Sequence, residues 1–323
     1  RHQKSAERGG GTMIRKMSFS LAITSVLFTI LSAEFAFAIN PGVGTSGAQF
    51  LRMGVNARAI AMGEAYSAVS EDASALYWNP AGLGLLDKKS LSMMHSSYLQ
   101  NIFYDYGSYA HPLSKYGTAA VSFQYLSSPR INQTDDVGTD LGTFRISENA
   151  FTLGYGKYFA GPRVSAGFNG KFIQSKVVET ATAFAADIGF IWYPSDKMQF
   201  GAAAQNMGSR LQFVKKSEPL PFNLKFGSAF RYWKPLLTTL DMNFPRDNDP
   251  FAAFGSEYKY NIGQKMSVSG RIGFNSRTTS DINGINSFST GIGLAFGAFE
   301  FDFAWAPFGQ LGNTYRYGLT ARF

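Results

Sequence analysis

The sequence predicts an all-β protein, a transmembrane antiparallel β-barrel of about fourteen strands holding a small, partly helical N-terminal hatch in its lumen. Three observations carry this. The chain ends Tyr315-Arg-Tyr317-Gly-Leu319-Thr-Ala321-Arg-Phe323, alternating apolar with polar residues and closing on an aromatic. Alternation gives one greasy and one polar strand face. Segments of the same kind recur from Leu91 onward. The composition is also unusual: 30 Phe, 16 Tyr and 34 Gly stand beside only 16% charged residues, where a soluble globule carries roughly 25%. Yet after residue 38 no run approaches the roughly 18 apolar residues that a membrane helix needs. The chain hides its hydrophobicity in alternation.

Residues 13–38 read as a secretory signal. Arg15 and Lys16 form its basic region, Phe19 to Leu31 its short apolar region, and Ala36-Phe37-Ala38 a small-x-small cleavage site, so the mature chain starts at Ile39. Residues 1–12 precede an initiator at Met13 and read as an over-extended or non-native N-terminus. Without residues 1–38, 25 basic and 20 acidic residues remain, a net +5 against +8 for the whole chain. The basic residues are dispersed, whereas nucleic-acid binding needs a concentrated patch. With 0 Cys there is no disulfide and no Cys metal site. No metal or cofactor is expected.

The strands follow in about fourteen segments, over roughly 90–97, 103–111, 117–127, 147–159, 163–176, 180–193, 197–206, 219–232, 236–245, 250–260, 265–275, 285–297, 298–307 and 312–323. Each pairs an apolar face with a polar one. Phe184, Ala186, Ile188, Phe190 and Trp192 oppose Asp187, and Phe299, Phe301, Phe303 and Trp305 oppose Glu300 and Asp302. A barrel in lipid explains both faces, greasy outward and charged inward. Links alternate in length. Short ones at Pro112–Tyr116, Ala160–Pro162, Pro194–Asp196, Trp233–Pro235, Asn261–Gln264 and Gly297–Ala298 are expected in the periplasm. Longer ones, Val177–Glu179 included, are expected outside. The longest, Ser128–Ile146 with Asp135, Asp136 and Asp140, reads as a mobile acidic loop. Last-strand aromatics are read by the machinery that assembles such barrels, so Tyr315, Tyr317 and Phe323 form the expected assembly signal. Tyr104, Tyr106, Tyr109, Trp192, Tyr232, Trp233, Tyr315 and Tyr317 are expected in interfacial girdles.

Residues 39–88 break the strand pattern and 89–323 keep it, which sets the boundary between hatch and barrel. The first segment is rich in Ala and Gly, with helical spacing at Leu51, Val55, Ala59 and Met62. Small residues allow tight packing, and fourteen or so strands enclose more space than their own side chains fill. A plug solves that problem.

Within this segment, Gly47-Ala-Gln-Phe-Leu51, Ala57-Arg-Ala59, Ala61-Met-Gly-Glu-Ala-Tyr66, Asp72-Ala-Ser-Ala75 and Tyr77-Trp-Asn-Pro-Ala-Gly-Leu83 closely resemble the PorV/PorQ family of outer-membrane proteins, itself related to the FadL-type transporters of hydrophobic compounds. The resemblance implies a FadL-like barrel in the bacterial outer membrane, with Asn79-Pro80-Ala81 matching the hatch motif of FadL. It implies export or surface attachment of secreted proteins, as in type IX secretion. The alternative it brings is passive uptake of hydrophobic small molecules such as long-chain fatty acids, released sideways through a kink in the wall. The partners then expected are outer-membrane lipid, the barrel assembly machinery, secretion components or their cargo, or a hydrophobic ligand.

Candidate residues form three groups. The hatch motif comprises Arg58, Asp72, Trp78, Asn79, Pro80, Ala81 and Gly82. Asn79-Pro80-Ala81 reads as a gate or as a turn ending a hatch helix, since Pro disfavours helix at the residue before it. Arg58 and Asp72 read as an ion pair or as solvated charges. The lumen charges Lys171, Asp187, Lys225, Arg231, Asp241, Glu257, Lys259, Arg271, Glu300, Asp302 and Arg316 read first as a mixed network holding the plug, second as a permeation path. Catalysis has no support: no G-x-S-x-G or H-E-x-x-H occurs. His95 and Ser96, adjacent on a strand, point to opposite faces.

Overall fold

The computed structural model describes residues 42–161, 163–177, 179–213, 217–279 and 285–323. The expected signal, cleavage site and residues 1–12 lie outside the described residues.

Among the described residues eighteen strands follow one another: β1 (Ser90–Ser97), β2 (Phe103–Pro112), β3 (Thr118–Ser127), β4 (Ile131–Thr134), β5 (Asp140–Phe144), β6 (Ser147–Phe159), β7 (Val164–Lys176), β8 (Thr180–Ser195) and β9 (Met198–Gly208), then β10 (Arg210–Gln212), β11 (Ser217–Pro219), β12 (Asn223–Trp233), β13 (Leu236–Pro245), β14 (Phe251–Ile262), β15 (Met266–Asn275), β16 (Phe288–Phe296), β17 (Phe299–Pro307) and β18 (Asn313–Arg322). Fourteen of them close into one antiparallel barrel. β1 and β18 make the closure, from Ser90 opposite Arg322 to Ser97 opposite Tyr315. Lys89 and Phe323 extend it, exchanging backbone hydrogen bonds of 3.0 and 3.1 Å. Closure leaves no unpaired edge, so strands of this kind cross lipid with their backbone groups satisfied.

The period-two pattern fixes the faces. On β8, Phe184, Ile188, Phe190 and Trp192 are 45–65% exposed on the outer wall, while Asp187 and Ile191 are 0% exposed on the inner one. The wall deviates at Asn206, whose φ of +58° marks a bulge opposite Ala186 and Ile188. β3 is paired along its whole length with both β2 and β6, without a shift in register.

Two loops hold strands that the sequence reading missed. The long acidic loop is a hairpin of β4 and β5, and β10 pairs with β11. β4 and β5 are short, and Ile131, Leu141 and Phe144 do not alternate with polar residues along them, so no period announces them. Asp135 closes the first hairpin by accepting from the backbone N–H groups of Thr139 (2.7 Å) and Val137 (3.0 Å). Those amides, Thr139 first, hold its carboxyl below the usual range. The Val177–Glu179 link, expected among the longer ones, is tight, with Val177 donating to the Glu179 carbonyl at 3.2 Å.

The hatch fills the lumen with short pieces. A 3-10 turn (Gln49–Arg52), a helix (Ala57–Ala61), a second helix (Ala75–Trp78) and a second 3-10 turn (Pro80–Leu85) follow in order. Asn56 caps the first helix by accepting the Arg58 N–H at 2.9 Å. Phe50, Val55, Met62, Leu76, Trp78 and Leu83 are at most 1% exposed. Each such side chain contributes roughly 1.5–3 kcal/mol. This core lies between hatch and wall, inside the barrel. Tyr104 and Tyr106, expected in an outer girdle, belong to it at 0% and 4% exposure. Their strand phase points them inward, and Tyr104 donates to the Met53 carbonyl at 3.0 Å. Trp192, Tyr232, Trp233, Tyr315 and Tyr317 do lie outward, 38–59% exposed.

Candidate functional site

The site is the contact between hatch and wall. Asn79 joins the second helix to the second 3-10 turn. Its backbone is extended (φ −160°, ψ 106°), as Pro80 requires of the residue before it. Its side chain accepts the Ala81 N–H at 3.1 Å and donates to the Ser67 carbonyl at 2.8 Å. It also reaches the wall carbonyls of Phe190 (3.3 Å) and Ala202 (3.4 Å). Glycines in the wall make this approach possible. A Cβ on Gly189 would run into the Asn79 side chain, and one on Gly167 would run into Pro80. Trp78 donates its indole N–H to the Val55 carbonyl at 3.0 Å, and Gly82 leaves no room for a Cβ against Ser70.

Wall side chains grip the hatch backbone around its circumference. Asp241 accepts from Tyr66 N–H (3.1 Å) and Ser67 N–H (3.0 Å). Gln205 donates to the Tyr77 carbonyl (2.6 Å), Asn169 to Leu76 (2.8 Å), Ser165 to Ala81 (2.6 Å) and Asn275 to Gly63 (3.0 Å).

A charge network ties the first hatch helix to β14, β15, β17 and β18. Arg58 does not pair with Asp72. Its guanidinium forks onto Glu257, Nε and Nη2 each at 2.7 Å. Asp72 instead accepts from Asn56 (2.9 Å) and from Ser74 N–H (2.7 Å), shaping the hatch turn. Glu257 also accepts from Arg271 at 2.6 Å. Arg271 then donates to Asp302 (2.5 Å) and Glu300 (3.1 Å), and Arg322 to Glu300 (2.9 Å). At the other end, Arg58 lies 3.8 Å from Glu71, which Arg231 also holds. The cations Arg58, Arg231, Arg271 and Arg322 thus balance Glu71, Glu257, Glu300 and Asp302, four against four. The lumen stays neutral here, with Arg58, Glu257, Arg271, Glu300 and Asp302 buried and Glu71, Arg231 and Arg322 about one third exposed. Gly293 makes room for the crossing, since a Cβ there would lie 2.6 Å from both Arg271 and Asp302.

Other lumen charges pair locally. Lys171 bonds Asp187 at 2.8 Å beside the Asn206 bulge. Lys225 lies 4.5 Å above the Trp78 ring. Arg277 pairs with hatch Glu64 at 3.1 Å, and this carboxylate holds its guanidinium above its usual value. Arg316 is different. It is 3% exposed, donates to Thr314 at 2.7 Å and stacks 5.8 Å from Tyr98, but its Nε has no hydrogen-bond partner among the described residues. Lys259 is exposed at the barrel end. His95 faces outward beside Asp105 at 2.7 Å, while Ser96 is buried inside, so the two do not meet.

Sequence reasoning missed Glu64, Glu71, Gln205, Asn275 and Arg277, and also Asp247, which accepts from hatch Gln49 at 2.6 Å and Arg52 at 3.0 Å. Gln205 shares the inward phase of Ala203, and Asn275 that of Arg271, so both were open to that reading. The loop and hatch residues carried no such signal.

Comparisons with known proteins agree with this geometry. The sequence profile of the family described as "Type IX secretion system protein PorV" matches residues 38–235. No curated protein matches the sequence. Among solved structures, the Ralstonia pickettii toluene transporter TbuX is similar with a TM-score of 0.54 at 12% identity, over 84% of this chain and 98% of that one. The Pseudomonas putida toluene transporter TodX gives 0.57 at 10%, over 83% and 96%. A Pseudomonas aeruginosa FadL homologue gives 0.53 at 10%, over 83% and 98%. At these identities the likeness is one of fold, the FadL-like barrel.

Proposed function

The chain belongs to the PorV family of outer-membrane β-barrels, and from that membership and its seated hatch we propose that it serves protein export or surface attachment of the type IX kind, without catalysis and with the hatch in place. The observation that carries this is the grip of wall on hatch. Freeing the hatch breaks a buried ion network, at roughly 3–5 kcal/mol for each partner left unpaired, and side-chain hydrogen bonds at about 0.5–1.5 kcal/mol each. A polypeptide threading the lumen meets that cost, whereas one received at the outer mouth does not. The tight turns and both barrel ends, Ser90 and Phe323, then face the periplasm.

Uptake of a hydrophobic compound is the second reading, favoured by the FadL-like fold. Two observations weigh against it. Among the described residues the barrel ladder shifts register only beside Asn206, Trp192 and Trp233, and at Asn206 the inner side is closed by the mutual bonds of Lys171, Asp187 and Asn206. The cavity beside the hatch between Ile60, Phe288, Phe308 and Arg316 holds about 40 Å3, well below the roughly 300–1,000 Å3 of small-molecule sites.

The test is a pull-down of the tagged protein from solubilised outer membranes, with mass spectrometry of protein and lipid. Export predicts co-purified secretion components or secreted proteins with a C-terminal sorting domain. A bound fatty acid or similar amphiphile, with no protein partner, would overturn it in favour of uptake.

A further inference from the structure

The barrel end that carries Ser90 and Phe323 is not filled evenly by the hatch. The Pro80–Leu85 turn packs against β6, β7 and β8. Across the lumen, the ends of β14 to β18 surround an open vestibule of about 630 Å3. Lys88, Lys259, Lys265 and Arg322 line it, against Asp87 and Glu300. Glu300 is already divided between Arg271 at 3.1 Å and Arg322 at 2.9 Å. The three lysines are exposed and form no ion pair among the described residues.

This contrasts with the network above it, where four cations meet four anions. Positive charge in excess is gathered at the mouth, on long flexible stems around a wet concave floor. Ser267, Asn261 and Gln264 add neutral hydrogen-bonding groups. Such a surface holds several anionic groups at once and is solvated enough to exchange them. A lipid phosphate approaches from outside the wall. Lys259 shares the inward face of β14 with Glu257, so the charge is presented to the lumen.

We propose that this vestibule docks an acidic peptide segment of a periplasmic partner, its Asp and Glu side chains meeting Lys88, Lys259 and Lys265, with Arg322 at the floor. The site does not depend on the export reading and needs only the barrel orientation given above.

The test uses the full chain in detergent and a fluorescein-labelled hexaglutamate probe, read by anisotropy at low salt. The variant K88Q/K259Q/K265Q is compared with K115Q/K197Q/K234Q. The second set removes three exposed lysines from turns at the same end, so net charge and compartment are matched. Vestibule docking weakens binding roughly tenfold in the first variant, the scale three exposed charge pairs supply, and less than twofold in the second. Lysine-to-arginine replacement at the three vestibule positions restores it. Equal losses in both sets, or no binding by the wild type, would overturn the proposal. So would displacement of the probe by phosphatidylglycerol micelles or inorganic phosphate at lower concentration than by unlabelled hexaglutamate, which would assign the site to a phosphate group.

Discussion

Glu257 is where hatch and wall share most charge, so Glu257→Gln is the sharpest perturbation of the seat. The wild-type carboxylate accepts three guanidinium N–H bonds, two from Arg58 at 2.7 Å and one from Arg271 at 2.6 Å. The amide keeps the volume, retains one acceptor oxygen and turns two N–H donors toward cations. Arg58 is left with Glu71 at 3.8 Å, a residue whose side chain is 36% exposed. Arg271 keeps Asp302 and Glu300. Two charge-assisted bonds lost at about 1.5–3 kcal/mol each agree with the roughly 3–5 kcal/mol for unpairing a buried ion. The population of released hatch then rises by roughly two to three and a half orders of magnitude. Native-state proteolysis with thermolysin, which cuts beside Leu51, Val55 and Ile60, follows that population when reclosing outpaces cleavage. Cleavage within the hatch accelerates while barrel fragments stay whole, and Arg58→Gln added to Glu257→Gln recovers part of the loss. Equal cleavage of wild type and Glu257→Gln would refute the claim that this network seats the hatch.

Three further outcomes follow from the same geometry. Arg271→Met strands the buried Asp302, leaves Glu257 to Arg58 and Glu300 to Arg322, and lowers barrel stability by roughly 3–5 kcal/mol, whereas Arg316→Met, at a cation without an acid partner among the described residues, is neutral or stabilising; urea titration of the folded band on gels separates the two. Asn79→Ala removes a cap and a bond to the Ser67 carbonyl, weakening the hatch by roughly 2–4 kcal/mol, which raises its protease sensitivity without changing barrel unfolding. Deleting Phe323 removes its two backbone bonds to Lys89 at the β1–β18 seam, so the amount of folded protein in outer-membrane fractions falls while the folded remainder keeps its hatch.

The barrel was legible because lipid imposes a period of two on every spanning strand. Asp187 between Ala186 and Ile188 betrays both faces by itself. The hatch was legible as a departure from that period, and the inward charges followed from phase. What they hold did not. Arg58 meets a carboxylate 199 residues away in sequence, and no local pattern carries that. Asp72 looked like its partner by proximity, but turn geometry claims it. Tyr104 and Tyr106 were misplaced because an aromatic suits both a membrane interface and a buried core, and only strand phase decides. The β4–β5 hairpin went unseen because its few apolar residues, Ile131, Leu141 and Phe144, set up no alternation.

Whether the hatch stays seated while the protein works can be read from a crosslink between hatch and wall. The chain has no cysteine, so Ala57→Cys with Gly318→Cys introduces a single pair. A Cβ at position 318 would lie 3.2 Å from that of Ala57, close to the roughly 3.5–4.5 Å of a disulfide. Cells carrying this variant in place of the wild type are scored for surface display of a reporter with a C-terminal sorting domain, with the single-Cys variants as controls. A seated hatch gives wild-type display from the oxidised, locked protein. Display lost on locking and regained with reductant, in the double variant alone, would contradict it and make the lumen the path.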